Sequence, residues 1–127
     1  MKKIIKTDHA PLPIGPYNQA VMHGNTLYVS GQIAIEPTSG NLIMDSIEAE
    51  TEQVMKNMGA ILEAAGLGFK NVVKCSVFVK DMEMFSRINT IYAKFFDQSN
   101  APARELVQVS NLPRYVNVEI SCIAMAD

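Results

Sequence analysis

A chain of 127 residues, 48% hydrophobic and 19% charged, can bury one core without a disulfide or a metal, so a single domain over residues 1–127 is expected. Eleven basic against thirteen acidic side chains leave a net charge of −2 and no basic stripe, which speaks against a nucleic-acid surface. No apolar run approaches the roughly 20 residues of a membrane span, and Met1-Lys2-Lys3 is not followed by the apolar stretch of a signal peptide, so the expected compartment is the cytosol.

Pro11, Pro13 and Pro16 make the first stretch extended and irregular, because proline fixes φ and restrains the residue before it. Residues 18–22 and 26–32 read as a hairpin turned by His23-Gly24-Asn25. Its second strand presents Leu27 and Val29 on one face and Tyr28, Ser30 and Gln32 on the other. A loop at 37–41 leads to a helix capped by Asp45 or Ser46, with an apolar stripe of Ile47, Val54, Met55, Met58, Ile61, Leu62 and Ala65 and a stop at Gly66. Glu48, Glu50, Glu52, Lys56 and Glu63 fall mostly outside that stripe.

Residues 72–80 alternate as a strand, with Val73, Cys75, Val77 and Val79 on one face and Lys74, Ser76, Phe78 and Lys80 on the other. Asp81 then caps a second helix whose stripe is Met84, Ile88, Ile91, Tyr92 and Phe95. Two strands close the chain, at about 103–110 and 116–125. Cys75 and Cys122 sit inside apolar strands and read as buried, reduced thiols, while His9 and His23 have no second ligand at metal spacing. The order β-β-α-β-α-β-β predicts an α+β fold. Two helices cover one face of such a sheet, which leaves the other as a candidate self-association surface.

The closing strands carry the candidate chemistry. Arg104, at the mouth of the first, shares a face with Leu106 and Gln108, opposite Ala103, Glu105, Val107 and Val109. In the second, Val116, Val118, Ile120, Cys122 and Ala124 form an apolar face, and Glu119 points the other way with Asn117 and Ser121. Pairing of these two strands would set Arg104 beside Glu119, on or next to the open face. By spacing alone the two read as an ordinary surface or interface salt bridge, worth roughly 0–1 kcal/mol.

Several segments add to this. Ile14-Gly15-Pro16-Tyr17, Val29-Ser30-Gly31-Gln32, Ala101-Pro102-Ala103-Arg104, Leu112-Pro113 and Val118-Glu119-Ile120 stand in the order and spacing of one family. The stretch from Lys80-Asp81 to Phe95-Phe96, with Phe85 and Asn89, fits the same pattern. The chain closely resembles the Rid (YjgF-type) family over nearly its whole length. The resemblance implies a chorismate-mutase-like mixed sheet with two helices on one face. It also implies a homotrimer whose three sheets form a central barrel, with clefts between subunits.

The activity implied is hydrolysis of reactive 2-imino and enamine acids to 2-oxo acids and ammonia, without cofactor or metal. The substrates would be 2-aminoacrylate, 2-iminopropanoate and 2-iminobutanoate, which pyridoxal-phosphate dehydratases release. Carried over by motif, Arg104 grips the substrate carboxylate and Glu119 orients the attacking water or moves its proton. Tyr17, Ser30 and Asn89 are cleft contacts, and Gly31 lets its backbone approach the ligand. Leu106 stands where many relatives carry a cysteine, which removes a thiol mechanism at that position. Ala101 replaces a frequent bulky aromatic. A non-catalytic metabolite-binding or regulatory trimer of the same fold is the main alternative. An RNA-acting translation inhibitor is disfavoured by the acidic balance and the lack of a basic stripe or a His pair.

Overall fold

The computed structural model describes residues 1–127. Six strands form one mixed sheet: β1 (Lys3–Ile5), β2 (Ala20–His23), β3 (Thr26–Gln32), β4 (Val72–Val79), β5 (Ala103–Gln108) and β6 (Val118–Met125). Helices α1 (Ile47–Ala64) and α2 (Phe85–Tyr92) follow β3 and β4 respectively. The spatial order is β1-β2-β3-β6-β4-β5. The α+β fold and the two helices over one sheet face match the expectation. The three-residue strand β1 is an addition, pairing with β2 through Ile4 and Val21.

Local chemistry sets the element boundaries. Gly24 takes φ of +59° at the β2–β3 turn, a region that costs glycine little. Ser46, not Asp45, caps α1, its side chain accepting from the Ala49 N–H at 3.0 Å. Asp81 caps a short 3-10 turn, Met82–Met84, by accepting from the Glu83 N–H at 3.0 Å, and α2 proper begins only at Phe85. No helix is long and apolar enough to cross a membrane.

The core lies between the helices and the sheet. Val54, Met55, Met58, Ile61 and Leu62 of α1 and Ile88 and Tyr92 of α2 meet Leu27, Val77, Ile120 and their neighbours in one buried cluster. Both cysteines are free and buried there. Two bulges overturn the simple alternation. Between Val29 and Gln32 the pairing with β6 slips by one residue, so Gln32 turns inward and is 6% exposed instead of lying beside Tyr28 and Ser30. A second slip, between Val72 and Lys74, buries Val72 and leaves Val73 44% exposed.

The closing strands do not pair with each other. β4 lies between them, parallel to β5 and antiparallel to β6. The start of β6 is fixed from an unexpected quarter. The helical period places Glu50 outside the α1 stripe, yet it is 0% exposed. Its carboxylate accepts from the Asn117 N–H at 2.7 Å, the Asn117 amide at 2.9 Å and the Val118 N–H at 3.2 Å. A buried carboxylate is tolerated only with such partners, and here they clamp α1 to the residues just before Glu119.

Candidate active site

Two cavities hold the candidate residues. The first, of about 390 Å³, is lined by Tyr17, Ser30, Gly31 and Glu119 with apolar walls that include Leu12, Ile33 and Pro113. Its shape depends on two side-chain anchors and one backbone turn. Buried Gln19 gathers the proline-rich loop, accepting from the Thr7 N–H at 2.8 Å and donating to the carbonyls of Ala10 (3.2 Å) and Pro11 (2.8 Å). Asn57 of α1 donates to the carbonyls of Ile33 and Ile35 at 3.1 and 2.9 Å. Pro113 enters from a strained turn whose next residues, Arg114 and Tyr115, hold φ of 54° and 57°. Buried Leu112 and Val116 clamp that turn at either end.

Within this cavity Glu119 is half-buried on the open face of the sheet, in register with Phe78. It has no ion-pair partner, and burial alone pushes its carboxyl above the ordinary range. Gly31, at the β3 bulge, lies directly against it: a β-carbon there would overlap the Glu119 carboxylate. The absence of a side chain at Gly31 thus accommodates Glu119. The Ser30 hydroxyl donates to the Asn18 carbonyl at 2.6 Å, closing the base of the hairpin at the cavity wall. Tyr17 is half exposed, its ring lying against Gly15.

The second cavity, of about 430 Å³, is lined by Arg104, Asn89, Tyr92, Phe96, Ala101 and Pro102, among others. Arg104 is in register with buried Cys75, so it projects from the helix-covered face and over α2. Its Nη1 donates to Asn89 Oδ1 at 2.8 Å, and its Cζ lies 4.8 Å from the Tyr92 ring centre and 5.8 Å from that of Phe85. No carboxylate of the chain pairs with it. Asn89 therefore contacts the guanidinium itself. No three His, Cys, Asp or Glu side chains come together as metal ligands.

The six candidates accordingly sort four to one cavity and two to the other. The expected closeness of Arg104 and Glu119 does not occur within one chain. The two are on strands separated by β4, three register positions apart, and on opposite faces of the sheet. That is roughly 10 Å along the strands and as much across them.

Residues 7–126 match the family model described as endoribonuclease L-PSP. The chain belongs to this family, the Rid family. The human protein named 2-iminobutanoate/2-iminopropanoate deaminase is 45% identical over 125 residues, covering 98% of this chain and 90% of that one. Among solved structures, the Escherichia coli YjgF gene product superposes with a TM-score of 0.92 at 43% identity, covering 98% of this chain and 99% of that chain. E. coli TdcF with bound serine gives 0.93 at 39% identity, with coverage of 98% and 99%. The six-stranded sheet with two helices on one face is thus the Rid-family fold.

Four contributors lie outside the motif reading of this Rid-family chain: Gln19, Glu50, Asn57 and Tyr92. Only Tyr92 had a usable signal. It lies three residues after Asn89 on α2, a spacing that puts both on one side of the helix.

Proposed function

We propose that the protein hydrolyses 2-imino acids and their enamine tautomers, such as 2-aminoacrylate, 2-iminopropanoate and 2-iminobutanoate, to 2-oxo acids and ammonia. The observation that carries this is Arg104: a cation in a cavity, held by Asn89 and two aromatic rings, with no carboxylate of its own chain. A guanidinium fork fits a substrate carboxylate through two parallel hydrogen bonds, which orients the adjacent C=N carbon. The name of the human relative supports the same chemistry.

In the proposed reaction water adds to the imine carbon, giving a tetrahedral amino alcohol. A proton moves from oxygen to nitrogen, the C–N bond breaks, and ammonia leaves as the carbonyl forms. Glu119, half-buried and unpaired, carries a carboxyl that burial makes a stronger base than an ordinary glutamate, which suits it to accept the proton of the attacking water. The apolar walls about it receive the aliphatic side chain of the substrate. Because Arg104 and Glu119 stand far apart in one chain, the complete site is proposed to form between neighbouring subunits of a homotrimer. Arg104 and Asn89 would come from one subunit, and Tyr17, Ser30, Gly31 and Glu119 from the next.

The test couples a pyridoxal-phosphate serine or threonine dehydratase to this protein and follows release of the 2-oxo acid. The wild type should accelerate release, and Arg104→Ala should lose roughly a hundredfold or more in kcat/KM. No acceleration by the wild type contradicts the reaction. Calorimetric binding of an oxo acid without turnover would instead favour the metabolite-binding reading.

A further inference from the structure

An arginine is a useful anchor only if its fork is aimed, because its long side chain is otherwise free to turn. Asn89 restrains a single nitrogen, Nη1. The Nε–Nη2 edge has no partner in the chain. The nearer of the two rings the guanidinium lies over is that of Tyr92, 4.8 Å from Cζ against 5.8 Å for Phe85.

That ring is itself braced. Phe96 packs on Tyr92 with centroids 4.9 Å apart, and Phe69 packs on Phe96 at 5.5 Å. Phe69 in turn lies against Gly59 of α1, where an added β-carbon would approach its ring to 3.0 Å. A continuous chain of edge-on and tilted ring contacts therefore runs from the long helix to the guanidinium. The Tyr92 hydroxyl is buried with only the Cys75 thiol, a weak hydrogen-bonding partner, beside it. A buried hydroxyl with only a thiol beside it adds little to folding, so the phenol oxygen does not explain the residue by stability. The ring face does.

We propose that Tyr92 is the positioning residue of Arg104: its braced ring holds the guanidinium plane so that, with Nη1 tied to Asn89, the Nε–Nη2 edge meets the substrate carboxylate. The inference rests on the carboxylate-anchor reading of Arg104. It assigns the function to the ring and not to the hydroxyl, which makes a sharp contrast between two variants.

The experiment measures imine hydrolysis and, independently, calorimetric binding of 2-oxobutanoate for the wild type, Tyr92→Phe and Tyr92→Leu. Tyr92→Phe should keep KM and oxo-acid affinity within about twofold and melt close to the wild type, since it removes only a weakly partnered hydroxyl. Tyr92→Leu should raise KM and weaken oxo-acid binding by roughly five- to tenfold while kcat changes by less than about twofold. An unchanged KM and affinity in Tyr92→Leu overturns the proposal, as does equal damage in Tyr92→Phe. If the wild type binds 2-oxobutanoate but does not hydrolyse imines, the reaction proposed above fails while the binding series still decides the role of Tyr92. If it binds no oxo acid, the positioning role falls too. Should Tyr92→Leu not fold, the Arg104 Nε–H resonance of the wild type, identified by its loss in Arg104→Lys, decides. An upfield ring-current shift supports the proposal, and an ordinary shift overturns it.

Discussion

Glu119 and Gly31 act as a pair at the scale of single residues. Burial raises the Glu119 carboxyl pKa above the ordinary glutamate value. The folded protein therefore holds that proton to higher pH than the unfolded chain, and ionisation at neutral pH costs folding free energy. The cost is absent below the unfolded pKa and complete above the folded one. Glu119→Gln should thus melt higher than the wild type at neutral pH, with the gap closing as pH falls through the carboxylate range. If Glu119 is the base, the acid limb of kcat/KM should also lie above the ordinary glutamate range and vanish in this variant. Gly31→Ala should displace the flexible end of Glu119, lowering kcat/KM more than tenfold while costing about 1 kcal/mol or less in stability, as read from assay and denaturant midpoint together. Arg104 and Glu119 could be named from sequence because their motifs stand in family order. The unpaired, half-buried state of Glu119 could not, since it depends on which chain segments pack around it in space, Gly31 of the neighbouring strand among them.

At the scale of elements, periodicity located both helices and all strands except β1, whose three residues are too short to show alternation. Alternation failed at Gln32 and Val73, where a bulge reverses the face of each residue. The strand order was harder, because adjacency in sequence does not report insertion of β6 between β3 and β4. A physical hint was nevertheless present. β6 buries Val118, Ile120, Cys122 and Ala124 in unbroken alternation, as a central strand does, whereas β5 carries Arg104, Glu105 and Gln108, as an edge does. Glu50 is the main link between α1 and β6 outside apolar packing. Glu50→Ala leaves the Asn117 and Val118 N–H groups without their acceptor and should cost about 2–4 kcal/mol, seen as a lowered urea midpoint with an unchanged slope.

Across the whole molecule, one face of the sheet is left without helices. It carries Tyr28, Phe78, Val107 and Ile123 beside the Lys74–Glu105 ion pair of 3.1 Å. This mixed apolar and charged surface, and the separation of the site into two cavities on opposite faces, both suit the proposed trimer. The most direct test mixes two impaired variants, Arg104→Ala and Glu119→Gln, unfolds them together and refolds them at equal concentration. In random trimers about one site in four would draw Arg104 from a Glu119→Gln subunit and Glu119 from an Arg104→Ala neighbour. Imine hydrolysis should therefore recover to about a quarter of the wild-type rate. A refolded mixture no more active than the two variants assayed apart would contradict a site shared between subunits.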